Sequence, residues 1–277
     1  MASASFTHFL KDQIINIKTC GFVLIRCNKV QSPICTANLN ALKNEIWSDF
    51  QADRSTFRYK FWRFFNQVST SDNRHSVPLP LTAASRIVLN DALGSVRHCL
   101  NGVLDIDSPL VELSSIISLP GSLQQDTHAD TPFSTAPSIY TVFVALSEIK
   151  LQNGPTWIHP KSHTKASHDK YATNESDIYY SSDGVQDDPV SRNFFDSNSQ
   201  LLPAEYALLN QGDILIFDSR LFHFGGANVS LDPRILMCIA FQQRDQTGSS
   251  DRIKGYTYHC HDTVHHAALQ LKDFPAH

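Results

Sequence analysis

The chain has 277 residues, 42% of them hydrophobic, enough to bury roughly three quarters of the surface its unfolded form exposes around one core. A formal charge of -4 and only 18% charged residues supply no field to hold phosphate backbones, which excludes general nucleic-acid binding. No apolar run reaches the roughly 18 residues of a membrane span, and the N-terminus lacks the basic and apolar segments of a secretory leader, so a soluble cytoplasmic protein is expected.

In chain order, Phe6, Phe9, Leu10, Ile14 and Ile17 recur at helical spacing and stop at Gly21, where "GFVLI" reads as a strand. Leu39, Leu42, Ile46 and Phe50 make the apolar stripe of a second helix over about 36–50, with Thr36 as its cap, and 82–104 reads as a third. The period then changes. "LVELSSIISL", "IYTVFVAL", "DILIF" and "ILMCIAF" are strand-like runs with no helical pattern among them. Helices first and short strands after favour an antiparallel sandwich or barrel over a doubly wound sheet. The expected organisation is one domain over 1–277, mostly helical in 1–105, with a β core over 106–245 and a tail over 246–277. A polar stretch at about 161–205 interrupts the core like a mobile lid. Cysteines 20, 27, 35, 99, 238 and 260 show no CxxC spacing and read as reduced thiols.

The chemistry begins at "QDTHADTPF", residues 125–133. His128 and Asp130 are the only His-x-Asp/Glu pair, and about one such pair arises by chance in this composition, so the motif needs support from elsewhere. It comes from "NQGDILIFDSRLFHFGGANVSLDPRILMCIAF". There His223 follows a strand, Gly225-Gly226 permits close backbone approach, and Arg234 opens the next strand. Two neutral imidazoles and one carboxylate on one face of an iron ion leave open positions, the arrangement of non-haem Fe(II) oxygenases. A keto-diacid can fill two of them while dioxygen takes another, and its far carboxylate then needs a cation. Arg234 offers two parallel donors on a group that keeps its charge.

At these residues the chain resembles the phytanoyl-CoA dioxygenase-like branch of the Fe(II)/2-oxoglutarate-dependent oxygenases. "QDTHAD", "NGPTWIHPKSH" at 153–163, and "GDILIFDSRLFHFGGAN" running to "DPR" carry the likeness, closely over roughly 110–245 and loosely at "GFVLI". The resemblance implies a mainly β fold with flanking helices, a double-stranded β-helix or jelly-roll barrel with iron at its open mouth. It implies His128, Asp130 and His223 as iron ligands and Arg234 as the co-substrate arginine. Gln125 matches a position near the co-substrate; Tyr140 and Thr141 are weaker candidates, of which strand alternation lets only one face the cavity. The implied chemistry is oxidative decarboxylation of 2-oxoglutarate to succinate and carbon dioxide with O2, coupled to hydrogen abstraction from a small organic substrate. Hydroxylation, cyclisation and desaturation share that first step. Halogenation fits less well, because relatives that halogenate replace the carboxylate that Asp130 provides. One departure is Lys161, where the family usually has glycine.

Other features have a bland reading beside the functional one. "FRYKFWRFFNQ" at 57–67 either lines a substrate entrance, with Arg58 and Arg63 favouring acidic groups, or is an amphipathic surface element. Trp157 is a third substrate candidate. His261 and His265 at helical spacing in "YHCHDTVHH" mimic a zinc-protease helix, but a solvated tail is expected there. A free small molecule of specialised metabolism suits the chain better than a fatty acyl-coenzyme A thioester, which would need a concentrated basic mouth. A cupin-like metalloenzyme that uses no keto-acid and a non-catalytic binding module stay open as alternatives. Oligomeric state leaves no trace in the sequence.

Overall fold

The computed structural model describes residues 12–27, 34–53, 73–131, 133, 138–173, 194–195, 201–244, 261, 264 and 267–274. A short helix, α1 (residues 12–20), ends at Gly21, whose φ of +86° turns the chain into β1 (Phe22–Ile25). Two longer helices follow, α2 (Thr36–Asp53) and α3 (Ala83–Leu100), with β2 (Arg74–Pro78) between them. The Thr82 hydroxyl accepts the Ser85 N–H at 3.2 Å and caps α3.

The long strands are β3 (Leu110–Ser118), β4 (Ile139–Ala145), β9 (Ile214–Asp218) and β11 (Arg234–Gln242). With β1 and β2 they form a six-stranded sheet in the order β1-β9-β4-β11-β3-β2, antiparallel throughout. Every residue of β4, β9 and β11 is buried, so both faces are covered and the polar-apolar alternation of a half-exposed strand disappears. The period of two survives in what each face touches. Val142, Val144, Ile214, Ile216, Ile235, Met237 and Ile239 join the α2 and α3 stripes in one cluster. Phe143, Ala145, Leu215, Phe217, Leu236 and Cys238 join the opposite one. Leu42 on α2 is fully buried, and truncating such a leucine to alanine typically costs about 2–5 kcal/mol.

The opposite cluster is completed by Ile158 and Ala207, on a smaller sheet of β10 (His223–Gly225), β5 (Thr156–Ile158) and β8 (Glu205–Ala207). A bridge from His128 to His223 adds the 125–128 segment alongside β10. Two antiparallel sheets face to face, with helices on one outer surface, are the expected double-stranded β-helix. It differs from the expectation in one respect: the sheets share no paired edge among the described residues and do not close into a barrel.

The polar insert is structured at both ends: α4 (Lys165–Thr173) opens it and β8 belongs to the smaller sheet, while β6 (Phe194–Phe195) and β7 (Leu201–Leu202) pair as a hairpin. The described part of the tail is partly packed, with Ala267, Ala268, Lys272 and Asp273 exposed. Val264, Leu271 and Phe274 are buried, and Arg97 of α3 donates to the Leu271 and Phe274 carbonyls, the latter at 2.7 Å. Isolated apolar residues in a polar stretch give no period to read, although they seal a core.

Candidate metal centre and anion pocket

The 125–128 segment and β10 run antiparallel, and His128 and His223 face each other as a doubly bonded pair: His128 N–H donates to the His223 carbonyl at 3.0 Å and His223 N–H to the His128 carbonyl at 2.8 Å. This rung sets the ring centroids 4.7 Å apart. The His128 Nδ1 lies 2.8 Å from the Asp126 carbonyl and the His223 Nδ1 2.9 Å from the Leu221 carbonyl. A carbonyl only accepts, so each Nδ1 carries the proton and each Nε2 keeps a free lone pair. Both Nε2 atoms lie 3.7 Å from Asp130 Oδ1. That is too long for a hydrogen bond but suits ligands that each sit about 2.0–2.2 Å from a shared ion. The three ligand atoms lie within 4.8 Å of one another. Burial, with His128 adding to it and Asp130 opposing, lowers the His223 pKa, which keeps the imidazole in the neutral form that binds metals.

Deeper between the sheets lies a second cluster. Arg234 on β11 and Arg74 on β2 are both in register with Ser118 of the intervening β3. Arg74 donates to the Ser118 hydroxyl at 2.8 Å and Arg234 at 2.9 Å. Arg234 also donates to the Gly154 carbonyl, and Arg74 to those of Leu123 at 3.1 Å and Gly226 at 2.7 Å. Both arginines are 2% exposed, and among the described residues neither has a carboxylate partner. Burial lowers the pKa of both, Arg74 to about 10, and the neighbouring Arg74 charge lowers Arg234 further. Two buried guanidiniums without a counter-ion are costly, and an anion between them relieves that cost.

The glycines make this closeness possible. Gly154 has a φ of +75°, and a Cβ there would strike the Gly226 carbonyl. A Cβ on Gly225 would meet Arg74 Nη1 and would lie 2.6 Å from Gln125 Oε1. Gln125 bonds Gly225 in both directions at 2.9 Å, through its backbone N–H and its side-chain oxygen. It thus braces the strand that carries His223.

Of the strand neighbours, Thr141 shares the inner face with Phe143 and bonds the Ser219 hydroxyl at 3.1 Å. Tyr140 lies on the other face, in the helix-side cluster, with its pKa raised by burial first and Asp218 second. Tyr140 therefore faces away from the space between the sheets, not toward a co-substrate there. Trp157 is also corrected: on β5 it alternates with the inward Ile158, and it stacks on Phe224 at 5.7 Å on the outer face of the smaller sheet. Arg58 and Arg63 lie outside the described residues. Arg74 went unmarked in the sequence, because a lone arginine in the five-residue strand "RHSVP" has no periodic signal and reads as surface.

The "HPKSH" turn holds the loop that delivers His223. The Ser162 hydroxyl donates to the His159 carbonyl at 2.6 Å and accepts the Phe222 N–H at 2.9 Å. Lys161 adopts a φ of +66°, and its N–H donates to the Cys20 carbonyl at 2.7 Å.

Fold and site together define a double-stranded β-helix protein with a two-histidine, one-carboxylate cluster beside a buried arginine pair. The family model of phytanoyl-CoA dioxygenase (PhyH) matches residues 20–236, and the chain belongs to that family. Among solved structures, HygX from Streptomyces hygroscopicus, with nickel and 2-oxoglutarate bound, is similar at 15% identity, covering 92% of this chain and 98% of its own, with a TM-score of 0.58. The non-heme alpha-ketoglutarate-dependent epimerase SnoN from nogalamycin biosynthesis is 16% identical over 91% of this chain and 90% of its own, at a TM-score of 0.53. The carbocyclase SnoK from the same biosynthesis is 14% identical over 85% of this chain and 84% of its own, also at 0.53. At these identities the likeness is one of fold.

Proposed function

We propose that this chain is an Fe(II)- and 2-oxoglutarate-dependent oxygenase acting on a small organic molecule of specialised metabolism. The observation that carries the reading is the fixed tautomer of His128 and His223: two neutral nitrogens and the Asp130 oxygen converge on one point, an N2O donor set that fits Fe(II). Iron held by His128, Asp130 and His223, with 2-oxoglutarate and dioxygen, would supply the oxidising chemistry for removing a substrate hydrogen, coupled to conversion of the keto-acid to succinate and carbon dioxide.

The chain's own residues divide the remaining work. Arg234 and Arg74, at the deep end of the sheets, hold the far carboxylate of the keto-acid. Gln125 keeps β10, and with it His223, against that pocket. The opposite ends of β4 and β11 carry Thr141 and the buried Ala240 on the inner face, and this end receives the organic substrate. SnoN and SnoK are enzymes of nogalamycin biosynthesis, which favours a comparable natural-product substrate here. Anaerobically loaded protein, mixed with oxygen, Fe(II) and labelled 2-oxoglutarate, tests the reading through succinate release that a library of polyhydroxylated and polyketide-like compounds stimulates. Keto-acid binding with no succinate across that panel would indicate a binding module instead. Turnover untouched by loss of Arg234 would indicate a metalloenzyme that needs no keto-acid.

A further inference from the structure

We infer that His168, on the first helix of the polar insert, is a positioning residue for the metal centre. The inference rests on the iron reading above and adds to it a contact between the insert and the ligand-bearing segments.

Backbone bonds lace those two segments together along their length. Gln125 N–H donates to the Gly225 carbonyl at 2.9 Å, His128 and His223 form their double rung, and Thr131 N–H donates to the Ser219 carbonyl at 3.0 Å. At the next step Pro132 has no N–H to offer. The His168 side chain takes over there. Phe133 N–H donates to its Nδ1 at 3.2 Å, and its Nε2 lies 2.7 Å from the Arg220 carbonyl, which only accepts. One neutral tautomer, protonated at Nε2, makes both bonds, so the imidazole works as a side-chain rung. Phe133 lies three residues after Asp130 and Arg220 three before His223, so the rung closes the loop on both ligands. The ring also packs on Phe222, with centroids 4.6 Å apart, next to His223. Arg220 sits over the Phe133 ring at 5.3 Å and grips Asp218 through two bonds of 2.9 and 2.5 Å.

An isolated surface histidine would have no reason to satisfy two backbone groups on different segments. Here the consequence is specific: Asp130 lies in a bend between the His128–His223 rung and the Thr131–Ser219 bond, and the His168 ring continues this lacing to Phe133, holding the bend from its C-terminal side.

The test is metal affinity in five purified full-length proteins, the parent and four variants, measured by Co(II) titration with the visible spectrum recorded. His168→Phe keeps the ring packing and loses both bonds; it is expected to bind Co(II) about 10- to 100-fold more weakly, with an altered spectrum, the usual range for groups that orient ligands. His168→Asn keeps an acceptor near Nδ1 and His168→Gln a donor near Nε2, and each is expected to recover part of the loss. Urea unfolding of the metal-free proteins separates the two roles, because lost positioning moves the affinity far more than the midpoint. Parental Co(II) affinity in His168→Phe overturns the inference, as does a loss that neither Asn nor Gln improves. Asp130→Ala is the independent control: Co(II) binding unchanged in that variant would sink the iron reading itself, whatever His168 does.

Discussion

Arg74 and Arg234 reach the same hydroxyl, that of Ser118, from strands on either side of it. Each Arg–Ser118 rung is an ordinary cross-strand pairing, yet the pair places two like charges in one dry pocket. Burial lowers the pKa of both groups, and an anion close by would offset the cost of keeping them charged. Arg234→Ala should lower 2-oxoglutarate affinity by about two to four decades, because removing one partner of a buried charge pair costs about 3–5 kcal/mol. Arg74→Met should cost less, on the order of one decade, since Arg234 still faces the ligand. Isothermal titration with 2-oxoglutarate in the presence of Mn(II) checks both; equal losses would make the arginines equivalent partners.

The ligand triad predicts a stability linkage. A metal that binds only the folded chain, at 100 times its dissociation constant, stabilises by about 2.7 kcal/mol, or roughly 5–10 °C in Tm for a chain of this size. Mn(II) should raise the Tm of the parent by that amount, and EDTA should reverse it. His223→Ala and Asp130→Ala should show no rise, which thermal scans at matched metal concentrations would reveal.

Asp213 sets an acid limit on the fold. Burial alone would raise its pKa, but the Cys27 N–H, the Arg26 guanidinium and the Asn210 N–H all donate to it, at 2.8, 2.8 and 2.9 Å, and leave it below the ordinary carboxylate value. A carboxyl depressed on folding stabilises fully above its unfolded pKa of about 3.9 and loses that contribution as pH falls through the folded value. Asp213→Asn should therefore cost about 1.5–3 kcal/mol at pH 7 and unfold with a flatter pH dependence below about pH 4. Urea midpoints between neutrality and pH 3 measure both effects.

Lys161 occupies a left-handed backbone conformation, φ +66°, where a side chain costs about 1–2 kcal/mol and glycine does not. Glycine's extra freedom when unfolded returns part of that gain. Lys161→Gly should raise stability by about 0.5–1 kcal/mol without changing the denaturant slope. A drop in the midpoint would mean that the lysine stem packs favourably enough to outweigh the strain.

Much of this protein could be read from its chain alone. Leu39, Leu42, Ile46 and Phe50 mark α2, and the four apolar runs mark the long strands, because burial leaves a local pattern wherever an element is long. His128, Asp130, His223 and Arg234 were legible as a set, since the chemistry restricts residue type and the glycines around it restrict backbone. Tertiary structure alone decided the rest. Alternation says that only one of Tyr140 and Thr141 faces inward, but which one depends on where the helices pack. Arg74 and His168 act across gaps of many residues, through the Ser118 hydroxyl and the Arg220 carbonyl, and Trp157 turns outward because Ile158 turns in. Period and composition record what a residue shares with its near neighbours along the chain; a buried charge or a side-chain rung is defined by groups that only folding brings within hydrogen-bond reach.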